Sequence, residues 1–394
     1  MKPIKLCSDI IDEKDINSLI CWLRKMPQLT KGAKTVEFEE KFSEYLGCKH
    51  SIYCNSGSSA NLLIVSALKQ MGLLKNSKIV VPQVSWSTTI FPAIQFGLDP
   101  ILCDCNMENL GLDVSHLKEI IAREQPAAVM LVHVLGLDSS IEEIIEICDQ
   151  NNVLVIEDTC ESLGSRTSGK MLGTFGFASS FSFYFGHHIS TIEGGMVCTD
   201  NSDFADVVKM IRSHGWDRDL SQDSKEKYRQ KYGVDDFDSL YKFYYAGFNL
   251  RATDLQAFIG LNQIPKINHI SKTREENYYA YCNNLNQKIW FPKPKKTQEV
   301  ISNMGFPLIL ENKQEVYREL NNKKFYVMHY KKNVERRARL EPILEEMEID
   351  ATWYTDYDKN ELSEAVIDTY CNINLDLFKE RTLGMYEEVD YDGY

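Results

Sequence analysis

Between about residues 50 and 200 the chain alternates short apolar runs with helical stretches, and no other feature restricts its possible folds as much. The runs include Lys78-Ile-Val-Val, Ala127-Ala-Val-Met-Leu-Val-His-Val, Val153-Leu-Val-Ile and Gly195-Met-Val-Cys. They are β-branched and apolar on both faces, which suits strands covered from both sides. Segments 139–150 and 202–212 read as helices between them. Alternation of strand and helix predicts an α/β fold with a mostly parallel sheet and helices on both faces. At 394 residues the chain is too long for one compact core, so a large domain with a smaller one is expected.

Beyond the alternating region, residues 217–238 are rich in Lys, Asp, Gln and Ser and read as a surface excursion with a partly helical charged face. A long helical pattern follows over 253–287, interrupted at Pro265. Phe291-Pro-Lys-Pro-Lys-Lys marks a boundary, and Gly305-Phe-Pro-Leu-Ile-Leu reads as a strand of the smaller domain. There is no internal repeat.

Charge and cysteine spacing exclude several classes. A formal charge of −13 argues against non-specific binding to nucleic acid or to anionic membranes. A phosphate-bearing ligand is still compatible, because a helix N-terminus binds phosphate inside an acidic protein. The opening Met1-Lys-Pro-Ile-Lys-Leu-Cys lacks the apolar core of a signal peptide, and no apolar run approaches the roughly 20 residues that span a bilayer. A cytoplasmic protein is expected. The 11 cysteines include no C-x-x-C pair, so free thiols in a reducing compartment fit better than a zinc or iron–sulfur site.

Three stretches carry chemistry. Asn55-Ser-Gly57-Ser58-Ser-Ala-Asn-Leu-Leu follows a short strand, Ser51-Ile-Tyr-Cys, and opens a helix. Its small residues and free N–H groups suit a phosphate, although alone the stretch reads first as a serine N-cap. Val155-Ile-Glu-Asp158-Thr-Cys-Glu161 places a carboxylate at a strand's C-terminal end, where open α/β sheets bind ligands. Asp158 there serves equally as a partner for a protonated ring nitrogen or as another helix cap. Ser182-Phe-Tyr-Phe-Gly-His187-His188 precedes Glu193-Gly-Gly and a further strand, and nothing nearby completes a metal site.

Together with Lys31-Gly-Ala-Lys-Thr-Val-Glu-Phe-Glu-Glu, Trp86-Ser-Thr-Thr and Gly247-Phe-Asn-Leu-Arg-Ala-Thr-Asp-Leu-Gln-Ala, these stretches follow a known order. Over roughly residues 28–310 the sequence resembles the DegT/DnrJ/EryC1/StrS sugar aminotransferases, fold-type I enzymes that use pyridoxal 5′-phosphate. In most members a lysine that captures the cofactor covalently stands six residues before the Glu of Glu-Gly-Gly. Counting back from Glu193 reaches His187. That histidine, with Arg212-Ser-His-Gly-Trp-Asp-Arg-Asp downstream, is most similar to the lysine-less sugar 3-dehydratases of the cluster-free type.

The resemblance implies dehydration at C3 of a nucleotide-linked 4-keto-6-deoxy sugar, of the GDP-mannose-derived kind, by pyridoxal and pyridoxamine phosphate with L-glutamate as amino donor. It implies His187 as base and acid, Trp86 stacked on the ring, Asp158 on the ring nitrogen and Glu161 near the ring hydroxyl. Gly57, Ser58 and Ser182 would hold the phosphate. Asn249 would reach the phosphate of a neighbouring subunit, which implies a homodimer with shared active sites. On this reading residues 1–288 form the cofactor-binding domain and 289–322 a remnant of the small domain. Residues 323–394, with Phe325-Tyr-Val-Met-His-Tyr and the following charged helix, resemble the first strand–helix–strand of a glycosyltransferase of family 25. A fusion or a truncated reading frame is therefore expected. Asp356-Tyr-Asp358 and Asp390-Tyr-Asp392 match a D-x-D pattern but read better as acidic surface turns. The competing reading is an inactive homologue that serves as a binding or scaffold domain beside a glycosyltransferase.

Overall fold

The apolar runs form the strands of one sheet. In the computed structural model, which describes residues 10–284, 292 and 294–307, the strands are β1 (His50–Cys54), β2 (Lys78–Pro82), β3 (Asp99–Cys103), β4 (Ala128–Val132), β5 (Leu154–Asp158), β6 (Arg166–Thr167), β7 (Lys170–Met171), β8 (Ala178–Ser182), β9 (Gly195–Thr199) and β10 (Gln298–Val300). Seven of them form a sheet in the order β1-β9-β8-β5-β4-β2-β3. The pairs β3–β2, β2–β4, β4–β5 and β5–β8 are parallel, whereas β9 runs antiparallel to both β8 and β1. The expected mostly parallel sheet is therefore present; Gly195–Thr199, as apolar as the parallel strands, runs the other way. Continuous burial of β9 sets its apolar composition, and strand direction leaves no mark on that composition.

Helices cover the sheet: α1 (Glu13–Leu23), α2 (Ala33–Leu46), α3 (Gly57–Gln70), α4 (Ser87–Gln95), α5 (Val114–Glu124), α6 (Ile141–Gln150), α7 (Ser202–Arg212), α8 (Gln222–Tyr232), α9 (Asp254–Gln263) and α10 (Ile267–Asn284). One core packs α3 and α7 on the sheet through Leu63, Ile64, Phe204 and Val208. A second core packs α5 and α6 on the other side of β2, β4 and β5 through Leu117, Ile120, Ile144 and Val129. The helix read over 202–212 has those bounds, and the proline break near Pro265 is a 3-10 turn, Ile264–Lys266, between α9 and α10. The polar excursion holds α8, capped by Ser221 and ended by Gly233 in the left-handed region.

A small sheet in the order β10-β6-β7 brings the chain's return segment back against the large domain. The strand read at Gly305-Phe-Pro-Leu-Ile-Leu is corrected in part: residues 305–307 are not in a strand, β10 lies just before them, and 308–310 are outside the described residues. The segments 308–322 and 323–394, including both D-x-D stretches, also lie outside the described residues. Among the described residues no helix is long and apolar enough to cross a membrane.

Candidate active site

One edge of the sheet collects the C-terminal ends of β1, β4, β5 and β8 and the start of β9. The register sets Gly195 opposite both Cys54 and Ser182, and Asp158 opposite Val132. Loops leaving this edge are where ligands of open α/β sheets bind.

The first such loop opens α3. Ser56 caps the helix, accepting from Ser59 N at 3.1 Å, while Gly57 and Ser58 begin it. Gly57 has no room for a side chain, since a Cβ would sit 2.7 Å from Ser182 Cβ and 3.0 Å from Cys160 Sγ. Gly195 is confined in the same way: a Cβ would lie 2.2 Å from Ser56 O and 2.5 Å from Gly57 N. The Gly-Gly turn thus lets the backbone before β9 press against the α3 N-terminus, leaving a cradle of small groups beside uncompensated N–H dipoles. Ser182 lines this cradle, and its hydroxyl accepts weakly from Tyr184 N at 3.4 Å. Ser58 is exposed and donates to Thr88 Oγ1 at 2.9 Å.

Thr88 belongs to α4, whose N-cap is Trp86. The Trp86 side chain is 63% exposed, an unusual state for an indole next to a sheet edge. Three residues on, Thr89 turns inward and donates to Asp158 Oδ2 at 2.8 Å. Asn61 of α3 donates to the same oxygen at 2.8 Å, and Cys160 N donates to Oδ1 at 3.2 Å. Asp158 is buried at 4% exposure, so these donors compensate a carboxylate removed from water.

His187 faces the same carboxylate through one intermediate residue. Its Nδ1 lies 2.8 Å from Cys160 O. A carbonyl only accepts, so Nδ1 carries the hydrogen and Nε2 keeps its lone pair. Burial pushes the imidazole down to about 4, against the opposing pull of the Cys160 carbonyl and the Asp158 charge, while Arg274 lowers it further. The ring is therefore neutral near pH 7, with Nε2 as a base. Cys160 contributes through its backbone and through its thiol, which burial, the Asp158 charge and a hydrogen bond to Asp158 push well up.

The neighbouring His188 has a different task. It is buried, its Nε2 lies 2.7 Å from Ser302 O, and burial pushes it well below the ordinary histidine value. It ties the His187 loop to the return segment after β10. Glu161 is partly buried and accepts from Leu135 N at 2.8 Å, which turns it toward the loop after β4. Asn249 is exposed, accepts from Arg251 Nε at 3.1 Å, and shares no hydrogen bond with the Gly57–Ser182 cradle. Of the residues singled out in the sequence, Gly57 with Ser182, Ser58 with the α4 turn that carries Trp86, and Asp158 with His187 are brought together. Glu161 and Asn249 stand at the margin.

The sequence reading missed Asn61, Thr89, Cys160 and His188. Asn61 and Thr89 lie inside stretches already quoted. The signal was a buried polar residue on the apolar face of α3, four positions after Gly57. The Cys160 carbonyl carries no side-chain signature at all.

Comparison with known proteins gives the family. The description DegT/DnrJ/EryC1/StrS aminotransferase family matches residues 10–354, a span that continues past residue 322. The GDP-4-keto-6-deoxy-D-mannose 3-dehydratase of Yersinia pseudotuberculosis is 34% identical over 316 residues, 79% of each chain. Its namesake from Escherichia coli O55:H7 is 32% identical over 314 residues, again 79% of each chain. The solved E. coli GDP-4-keto-6-deoxy-D-mannose 3-dehydratase with bound hydrated PLP superimposes with a TM-score of 0.72 at 29% identity, covering 82% of this chain and 84% of that one. A mutant GDP-4-keto-6-deoxymannose-3-dehydratase with bound GDP-perosamine gives 0.72 at 28%, covering 81% and 84%. The chain belongs to the DegT/DnrJ/EryC1/StrS aminotransferase family.

Proposed function

We propose that this protein dehydrates a nucleotide-linked 4-keto-6-deoxy sugar at C3, with pyridoxal and pyridoxamine phosphate as cofactor and L-glutamate as amino donor. The substrate we assign is GDP-4-keto-6-deoxy-D-mannose. One observation carries the reading: a neutral histidine with a free Nε2 stands where most of the family has its lysine, beside a buried carboxylate at the strand edge. The relatives named above support the substrate class.

The residues present fit the cofactor. The side-chain-free cradle at Gly57, with Ser58 and Ser182, suits the phosphate; Asp158 suits a protonated pyridine nitrogen; the exposed Trp86 indole offers a stacking face. Glu161, whose Oε2 accepts from Leu135 N, is assigned to the ring hydroxyl by the family resemblance alone. When bound, the cofactor would supply an electron sink and would carry the amino group of glutamate, which leaves as ammonia when the dehydrated product hydrolyses.

The chain's own residues then divide the work. Imidazole does not capture an aldehyde stably, so His187 leaves the cofactor free to enter and leave. Its Nε2 removes a proton at the cofactor's C4′ carbon and delivers one to the departing C3 hydroxyl. The Cys160 carbonyl holds the ring in the tautomer that does this. Asp158 keeps the proton on the ring nitrogen, so that electrons released at C4′ have somewhere to go.

The proposed assembly is a homodimer with shared sites. The exposed apolar rim of Tyr184, Phe185 and Ile192 supports burial by a partner or a ligand, and exposed Asn249 is free to reach a second protomer's phosphate. The proposed cofactor-binding unit is residues 1–288.

The test is to incubate the protein with pyridoxal phosphate, L-glutamate and GDP-4-keto-6-deoxymannose. The expected products are 2-oxoglutarate, ammonia and a 3-deoxy sugar. A stable 4-amino sugar would make the protein an aminotransferase, and failure to form 2-oxoglutarate would favour the scaffold reading.

A further inference from the structure

Asn61 is an anomaly within α3. It is buried on a helix face shared with Ile64 and Leu68, where leucine would pack without a polar penalty. Its amide nitrogen donates to Asp158 Oδ2 at 2.8 Å and to Thr88 O at 3.2 Å. Both neighbours only accept, so the amide has one possible orientation. That orientation leaves Oδ1 buried without a partner, an arrangement that lowers stability. A residue held in this way against its own packing preference is doing something leucine would not.

Its two donated bonds show what that is. Thr88 O lies in the first turn of α4, one residue before Thr89, which also donates to Asp158 Oδ2. Asn61 and Thr89 together occupy both lone pairs of Oδ2. Oδ1 takes a single longer backbone bond, from Cys160 N, and among the described residues the only other donor to the carboxylate is the weak Cys160 thiol, so Oδ1 is the oxygen held less firmly. The pair therefore decides which oxygen of Asp158 is presented to a ligand. The same contacts join α3, which begins at the phosphate cradle, to α4, which begins after Trp86, with Ser58 to Thr88 as a further tie.

We propose that Asn61 is a positioning residue for the reaction: with Thr89 it acts through Asp158, turning Oδ1 toward the cofactor's ring nitrogen and fixing cradle, stacking face and carboxylate as one unit. This rests on the cofactor reading above.

The experiment is a double-mutant cycle on the full chain, using Asn61→Leu, Asp158→Asn and both together, with Thr89→Val alongside. Each protein is loaded with pyridoxal phosphate labelled with 15N at the ring nitrogen. The ring 15N shift is read first, then kcat and KM of the half-reaction with L-glutamate. Asn61→Leu is expected to move the 15N signal and lower kcat about tenfold, with KM for glutamate unchanged, since losing one hydrogen bond to a charged group changes rates on that order. In the Asp158→Asn background it should add almost nothing. Thr89→Val, nearly isosteric, should move both readouts the same way to a smaller extent, and it decides the matter if Asn61→Leu does not fold. Unchanged 15N shift and rate in Asn61→Leu, or effects of Asn61→Leu and Asp158→Asn that multiply, would overturn the positioning role and leave the cofactor site standing. An Asp158→Asn protein with the parent's 15N shift and rate would overturn both.

Discussion

The lock around Arg212 and the edge around Asp158 are made of the same materials and are finished in opposite ways. Arg212, at 1% exposure, donates to Glu39 at 2.6 Å, to Asp219 at 3.0 Å and to Tyr53 O at 2.6 Å. Asp219 also pairs with Lys31 at 2.9 Å. Burial pushes the Asp219 carboxyl up, but Arg212 and Lys31 outweigh it and leave it below the ordinary value. Nearby, Asp254 at the start of α9 accepts from Gly32 N, Lys34 N, Thr35 N and Thr35 Oγ1 and so caps α2. At this lock the carboxylates lie against fixed partners: Arg212 bridges Glu39 and Asp219, and Asp254 takes four donors, although Arg212 Nε is buried without a bond. At the edge, by contrast, Asp158 is held by neutral donors, Asn61, Thr89 and Cys160, His187 Nε2 keeps its lone pair, and Trp86 stands in solvent. A charge bridged by its opposite marks groups that build the fold, and a carboxylate held by neutral donors beside a strand end marks one available to a cationic group of a ligand.

Breaking the lock should give the larger effect on folding. Arg212→Met keeps the length of the side chain and leaves Glu39 and Asp219 without their shared cation, so about 3–5 kcal/mol of stability should be lost. Urea unfolding measures this, with His187→Asn as the comparison, expected to stay close to the parent. Equal losses in the two proteins would erase the distinction between the regions.

A smaller and more selective effect is expected from pH. His187 sits at about 4, below the ordinary 6.5, so its base form is already complete at pH 6. For kcat/KM of the glutamate half-reaction, the acid limb should therefore appear only as pH falls toward about 4. A limb centred near 6.5 would mean that the ring is solvated rather than held against Cys160.

Much of the edge was legible in the sequence because its parts are local. A glycine-serine turn opening a helix, a carboxylate closing an apolar run, and a histidine at a fixed distance from Glu-Gly-Gly all lie within short windows. What escaped depends on distant partners. Asp254 meets Thr35 across 219 positions and Arg212 meets Glu39 across 173. Both ends of each pair stood in quoted stretches, yet spacing could not say that they touch. The direction of β9 was hidden because composition reports burial and not polarity of the strand. The two-residue strands β6 and β7 are too short for any alternation to register.

The central claim, that a histidine at the lysine position leaves the cofactor unattached, is tested most directly by borohydride reduction of the cofactor-loaded protein followed by peptide mass spectrometry. The parent should yield no peptide carrying reduced cofactor, whereas His187→Lys should yield one at position 187 and lose 3-deoxy sugar formation. A reduced adduct on any lysine of the parent, or undiminished 3-deoxy sugar formation by His187→Lys, would contradict the account.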